Sequence, residues 1–77
     1  MIELLLDQKQ TANWLYYETG FEQLHPYLEI IEWMESQGWR YREDWACERR
    51  ISNTGENVYV LLFRNKEMLT LFSLRWS

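Results

Sequence analysis

His25 and Cys47 are the two side chains best suited to covalent chemistry, a base and a thiol far apart in the chain. A thiol becomes a strong nucleophile when a base stands beside it. No serine or cysteine lies near His25 in a nucleophile motif, so only the fold could pair it with Cys47. The ordinary expectation is that His25 stands at a helix start and Cys47 fills the inner face of a strand as a small apolar group. Glu29 and Glu32 form a second candidate. Glycoside hydrolysis needs two carboxyl groups about 5–9.5 Å apart across a cleft, and neighbours on one exposed helix face have no cleft between them. One histidine, one cysteine and scattered acids make a poor metal-ligand set. Gly20, Gly38 and Gly55 are too widely spaced for a phosphate-cradling loop. The expectation is a protein that is not an enzyme and holds no metal or cofactor.

Two stretches suit binding better. "WRYR", Trp39 to Arg42, interleaves rings and bases as single-strand nucleic-acid sites do, but Glu43 and Asp44 follow at once and largely cancel the charge. The alternative places Trp39 and Tyr41 in the core and leaves the arginines solvated or paired. The segment around Glu29, Glu32 and Trp33 sets carboxylates beside a large ring. A row of carboxylates can imitate a phosphate backbone, and a tryptophan is the usual anchor of a protein interface. Glu29, Glu32 and Trp33 are therefore the expected partner-binding residues.

The elements that must position them follow from periodicity. "HPYLEIIEWMESQG" reads as the main helix, about residues 26–37, with Pro26 at its first position and Gly38 closing it. Tyr27, Ile30, Ile31 and Met34 form its apolar face, leaving Glu29, Glu32 and Ser36 outward. "IELLLD" reads as a short strand and "DQKQ" as a polar break. "NWLYYET", Asn13 to Thr19, reads as a strand ended by Gly20, with a short helix as the alternative. "WRYREDWACERRI" has strand periodicity, "SNTGEN" is a turn, and "VYVLLF", Val58 to Phe63, is apolar throughout, as a strand covered on both faces is. These last two strands form a hairpin with a loop longer than two residues. For residues 66–76 the start selects a C-terminal helix over a second hairpin turning at Arg64 to Glu67. Asn65 is a good N-cap and Glu67 sits where the helix dipole favours an acid. The expected fold is α+β, a small antiparallel sheet with both helices on one face, in the order β-β-α-β-β-α.

Composition supports one small domain over residues 1–77. Apolar residues make up 47% and aromatics 17%, including five Trp and five Tyr. Such an excess raises the prior for a protein partner or a homo-oligomer. The net charge of −4 is uneven: residues 1–37 hold seven acids against Lys9, while residues 38–77 hold seven bases against five acids. That acidic half argues against non-specific nucleic-acid binding there. No apolar run approaches the ~20 residues that span a bilayer. A single cysteine and an N-terminus without a basic n-region fit a reducing cytoplasm and no membrane role.

The run Phe63, Asn65, Met68, Leu71, Phe72, Leu74, Arg75 and Trp76 resembles the ending of a diffuse group of small, uncharacterised accessory proteins of tailed bacteriophages. That ending is an aromatic strand, a cap, and a segment closing on Leu-Phe-x-Leu-x-Trp. Here Asn65-Lys66 stands where Asp-Pro is frequent, and Ser73 where a lysine is common. The likeness covers about a fifth of the chain. It implies a phage accessory protein working in the cytoplasm of an infected cell, and carries over no site residue. With the acidic helix, it leads to the expectation of a non-enzymatic protein that binds and inhibits a host or defence protein. The alternatives are a nucleic-acid-binding accessory factor using Trp39, Arg40, Tyr41 and Arg42, and a structural homo-oligomer.

Overall fold

The computed structural model describes residues 1–17 and 24–76. The elements are β1 (Ile2–Leu5), α1 (Gln8–Trp14), β2 (Leu15–Tyr16), β3 (His25–Pro26), α2 (Leu28–Ser36), β4 (Trp45–Ile51), β5 (Asn57–Phe63) and α3 (Lys66–Trp76). The protein is a small α+β fold. Strands β1, β5 and β4 form an antiparallel sheet in that order, and β2 pairs with β3 as a separate two-stranded ladder.

Strand β5 is central, which explains its unbroken apolar sequence. Alternate residues of a strand point to opposite faces. Tyr59, Leu61 and Phe63 join one core cluster with Trp14 of α1, Ile30 and Met34 of α2, and Phe72 of α3. All three helices therefore contribute to the same core on one face of the sheet. Val60 and Leu62 point the other way, yet Val60 is only 1% exposed. Among the described residues, neither joins the core cluster to which the helices contribute. On that face Arg50 of β4 reaches across β5 to Glu3 of β1 with two hydrogen bonds, of 2.9 and 2.7 Å, and also pairs with Glu48 at 3.0 Å. The aliphatic stems of such side chains shield apolar surface while their charged ends stay wet.

Residues 8–14, which begin in the expected polar break, are a helix. Asp7 and Gln10 make a capping box: Asp7 Oδ1 accepts the Gln10 N–H at 2.8 Å, and Gln10 Oε1 accepts the Asp7 N–H at 3.0 Å. Two amides at the helix start are thus satisfied reciprocally. The strand expected over residues 13–19 is confined to Leu15–Tyr16 among the described residues, since Asn13 and Trp14 end α1. Its last residues, and the Gly20 stop, lie outside the described part.

The main helix starts later than expected. Pro26 pairs with Leu15 in the β2–β3 ladder, and Tyr27 continues it by donating its N–H to Trp14 O at 3.0 Å. A proline tolerates such a short edge strand as well as a helix start. Tyr27 is the N-cap residue, stacked on Tyr16 at 5.1 Å, so it does not belong to the apolar face of the helix. The C-terminal stop is as expected. Gly38 has φ +82°, its N–H donates to Glu35 O, and the Trp39 N–H reaches back to Met34 O. This pair of bonds is a Schellman closure, and buried Trp39 and Met34 supply its apolar contact.

The last segment is a helix capped by Asn65, whose Oδ1 accepts the Met68 N–H at 3.0 Å. Its Phe72 is fully buried between Trp14, at 5.2 Å edge-on, and Phe63, at 5.1 Å.

Asp7→Ala removes the capping box and lowers stability by about 1 kcal/mol in denaturant titration. Phe72→Ala empties the centre of the core at about 3–5 kcal/mol, enough to leave a domain of this size largely unfolded. Equal midpoints for wild type and Asp7→Ala would show that α1 is held by its packing alone. The bridge over β5 gives a pH test. Hydrogen bonds from Arg50 hold the Glu3 carboxyl below its ordinary value. Its contribution is therefore present above the ordinary carboxylate range and is lost as pH falls through the lowered folded value. The melting temperature falls more between pH 5 and pH 3 in wild type than in Glu3→Gln; parallel curves refute the bridge's role.

Candidate functional site

Helix α2 buries Ile30 and Met34 and so turns its other flank to solvent. Glu29, Glu32 and Glu35 recur every third residue on that flank, all exposed. Leu28 stands among them, 63% exposed. None of the three carboxylates makes a hydrogen bond or ion pair with a described residue. Glu29 lies in the first turn, where the helix dipole favours it, but no base occupies the last turn to balance Glu32 and Glu35. Like charges at this spacing disfavour a helix by roughly 0.2–0.5 kcal/mol per pair. The ridge costs the fold stability.

Trp33 lies at the margin of this ridge and is half-buried. Its ring meets Trp39 at 5.3 Å, Trp76 at 6.1 Å and Phe72 at 6.3 Å, each edge-on or nearly so. It therefore ties α2 to α3 through a cluster of rings. Ser36 Oγ donates to the carbonyl of Trp33 at 2.6 Å and secures the same turn. Sequence periodicity brought out Glu29 and Glu32 but passed over Glu35 and Leu28. The signal was present, because Glu35 continues the three-residue step and Leu28 falls outside the apolar stripe.

The "WRYR" segment is organised by Asp44. This buried carboxylate accepts the Arg40 backbone N–H at 2.8 Å and pairs with Arg64 at 3.4 Å, while Asp44 O accepts the Arg64 N–H. The turn so formed holds Arg42 at φ +73°. Trp39 is in the core, packed on Phe63 at 6.2 Å, and cannot stack on a base. Tyr41 is 52% exposed, with the Arg42 guanidinium 5.5 Å over its ring. Arg40 lies 3.9 Å from Glu43. One exposed ring and largely engaged cations leave this segment ill-equipped to follow a nucleic-acid strand.

Between the start of α2 and the "WRYR" turn lies a cleft of ≈ 530 Å³, lined by His25, Ile31, Trp39, Tyr41, Trp45 and Cys47 among others. The fold thus brings His25 and Cys47 to one cavity. Desolvation, with a smaller contribution from Glu48, pushes the Cys47 thiol up to about 11. A nucleophilic cysteine needs the opposite shift. The Trp45 indole N–H is buried without a hydrogen-bond partner among the described residues and has no surface open to the cleft. Among the described residues, no three His, Cys, Asp or Glu side chains are grouped to hold a metal ion. No helix among them is long and apolar enough to cross a membrane.

No protein-family model, curated protein or solved structure matches this chain.

The state of Cys47 is directly testable. At pH 7.5 iodoacetamide alkylates the folded protein roughly a hundredfold or more slower than an unstructured cysteine peptide, since the thiolate fraction is smaller and the sulfur is enclosed. Denaturant restores the peptide rate. Rapid alkylation of the folded protein at neutral pH would contradict a buried, protonated thiol and revive a catalytic Cys47–His25 pair.

Proposed function

We propose that the protein is a small, non-enzymatic binding module that docks the acidic flank of α2 onto a basic surface of a protein partner and blocks it. The C-terminal resemblance to phage accessory proteins suggests the setting, an infected bacterial cell, and a host or defence protein as the target. One observation carries the reading: Glu29, Glu32 and Glu35 form an exposed, regularly spaced row that no described cation neutralises. A row that weakens its own helix gains stability from a partner that supplies the missing positive charge. Carboxylates along one flank present regularly spaced anionic oxygens, as a phosphate backbone does, so a nucleic-acid-handling protein is the favoured class of target. Leu28 adds an exposed apolar contact inside the row. Trp33, at the margin, contributes its uncovered edge and holds the helix in place.

Capture from bacterial lysate with the tagged protein supplies the partner, and charge reversal tests the surface. Glu29→Lys with Glu32→Lys leaves the fold intact, because both side chains are exposed and unpaired. Association with the captured partner slows by more than tenfold and loses its salt dependence, since repulsion replaces attraction at the encounter. Leu28→Ala acts on dissociation instead. A folded double variant that binds with unchanged rates removes α2 as the working surface.

A further inference from the structure

Helix α3 carries an unexplained pattern on the side opposite its buried Phe72. Leu71 and Leu74 are 43% and 75% exposed. Together with Lys66, Glu67 and Thr70 they line a shallow, mostly apolar groove. At about 100° per residue, positions 67, 70, 71, 74 and 75 fall within an arc of roughly 140°. Glu67 and Arg75 bound this stripe along the helix, and Leu71 lies midway between them, about 6 Å of rise from each. Arg75 is exposed, with its guanidinium placed 4.4 Å over the Trp76 ring at the end of the helix.

We propose that this stripe is a self-association face, on which two copies of the chain pack α3 against α3, antiparallel, about a two-fold axis at Leu71. The charge pattern specifies the occupant. An antiparallel pair centred on Leu71 sets Glu67 of one copy beside Arg75 of the other, and does so twice by symmetry. A parallel pair would set Glu67 against Glu67 and Arg75 against Arg75. The antiparallel arrangement also opposes the two helix dipoles. Leu71 and Leu74 then leave water at the centre, and the short Thr70 side chain lets the helices approach. One face of an 11-residue helix buries much less than the ~1,200–2,000 Å² of a stable interface. The dimer is therefore weak and forms at high protein concentration. This surface is separate from the acidic flank of α2, so the two proposals stand or fall independently.

Sedimentation equilibrium of the full chain, from 10 µM to 1 mM in low salt, reads the outcome. Wild type shifts from monomer towards dimer, and the shift weakens with added salt. Leu74→Lys stays monomeric throughout, with a wild-type circular dichroism spectrum, since this side chain is largely in solvent. Glu67→Arg and Arg75→Glu each weaken the dimer by roughly threefold or more. The double variant Glu67→Arg with Arg75→Glu restores it, because the swapped charges meet again. A wild type that remains monomeric at 1 mM, or assembles beyond a dimer, overturns the proposal. So does a dimer indifferent to Leu74→Lys, or a double variant weaker than both single ones.

Discussion

Strand β5 is buried on both faces, while the described helices send their buried side chains to only one. That imbalance governs the rest of the structure. On the helical face the solution is aromatic: Trp14, Trp33, Phe63 and Phe72 meet edge-on or tilted between the sheet and the helices. Large rings fill volume with few residues, which suits a chain near the lower size limit for a stable core. On the other face the cover is electrostatic. The Arg50 bridge to Glu3 and Glu48 lies across Val60 with its charged atoms in water, where an ion pair costs little to form and contributes little by itself. Its value is in what its stems exclude.

The same imbalance explains where the tryptophans went. An aromatic content of 17% suggested rings left over for a partner. The five tryptophans are all buried or half-buried instead, and Trp14 donates its indole N–H to Trp76 O at 3.0 Å, tying α1 to the end of α3. The exposed rings are tyrosines, Tyr17, Tyr27 and Tyr41, beside aliphatic side chains such as Leu28 on α2 and Leu71 and Leu74 on α3. Aromatic excess was a sound signal of high burial per residue for the tryptophans, while the tyrosines divide between core and surface.

The features legible in the sequence were those set by local chemistry. Continuous apolarity marked β5 as central, Gly38 marked the Schellman closure, and Asn65 with Glu67 marked the start of α3 against a competing hairpin. Helix α1 was obscured because Asp7 and Gln10 are each unremarkable polar residues; only the three-residue spacing makes them a capping box. Pro26 was legible as a boundary but not as a strand residue, because its pairing with Leu15 is a tertiary matter. For the site, the outward direction of Glu29 and Glu32 followed from helical period alone. The partial burial of Trp33 did not, since it depends on Trp39, Phe72 and Trp76 arriving from elsewhere in the chain.

Helices α2 and α3 meet through the ring of Trp33, yet their outer faces follow opposite electrostatic rules. A two-fold axis through the outer flank of α2 would bring Glu29, Glu32 and Glu35 against their own copies with no base in that row to relieve them. Self-association there would be repelled, which is why the binding proposed for that flank calls for a partner of positive charge. The outer face of α3 holds an acid near its start and a base near its end, so in the proposed dimer an inverted copy would supply the complement. Charge order, more than the exposed leucines that both surfaces carry, is what separates the kinds of partner proposed for them. Under the two proposals the surfaces would not compete, because a second copy packed on α3 would leave the acidic flank of α2 open.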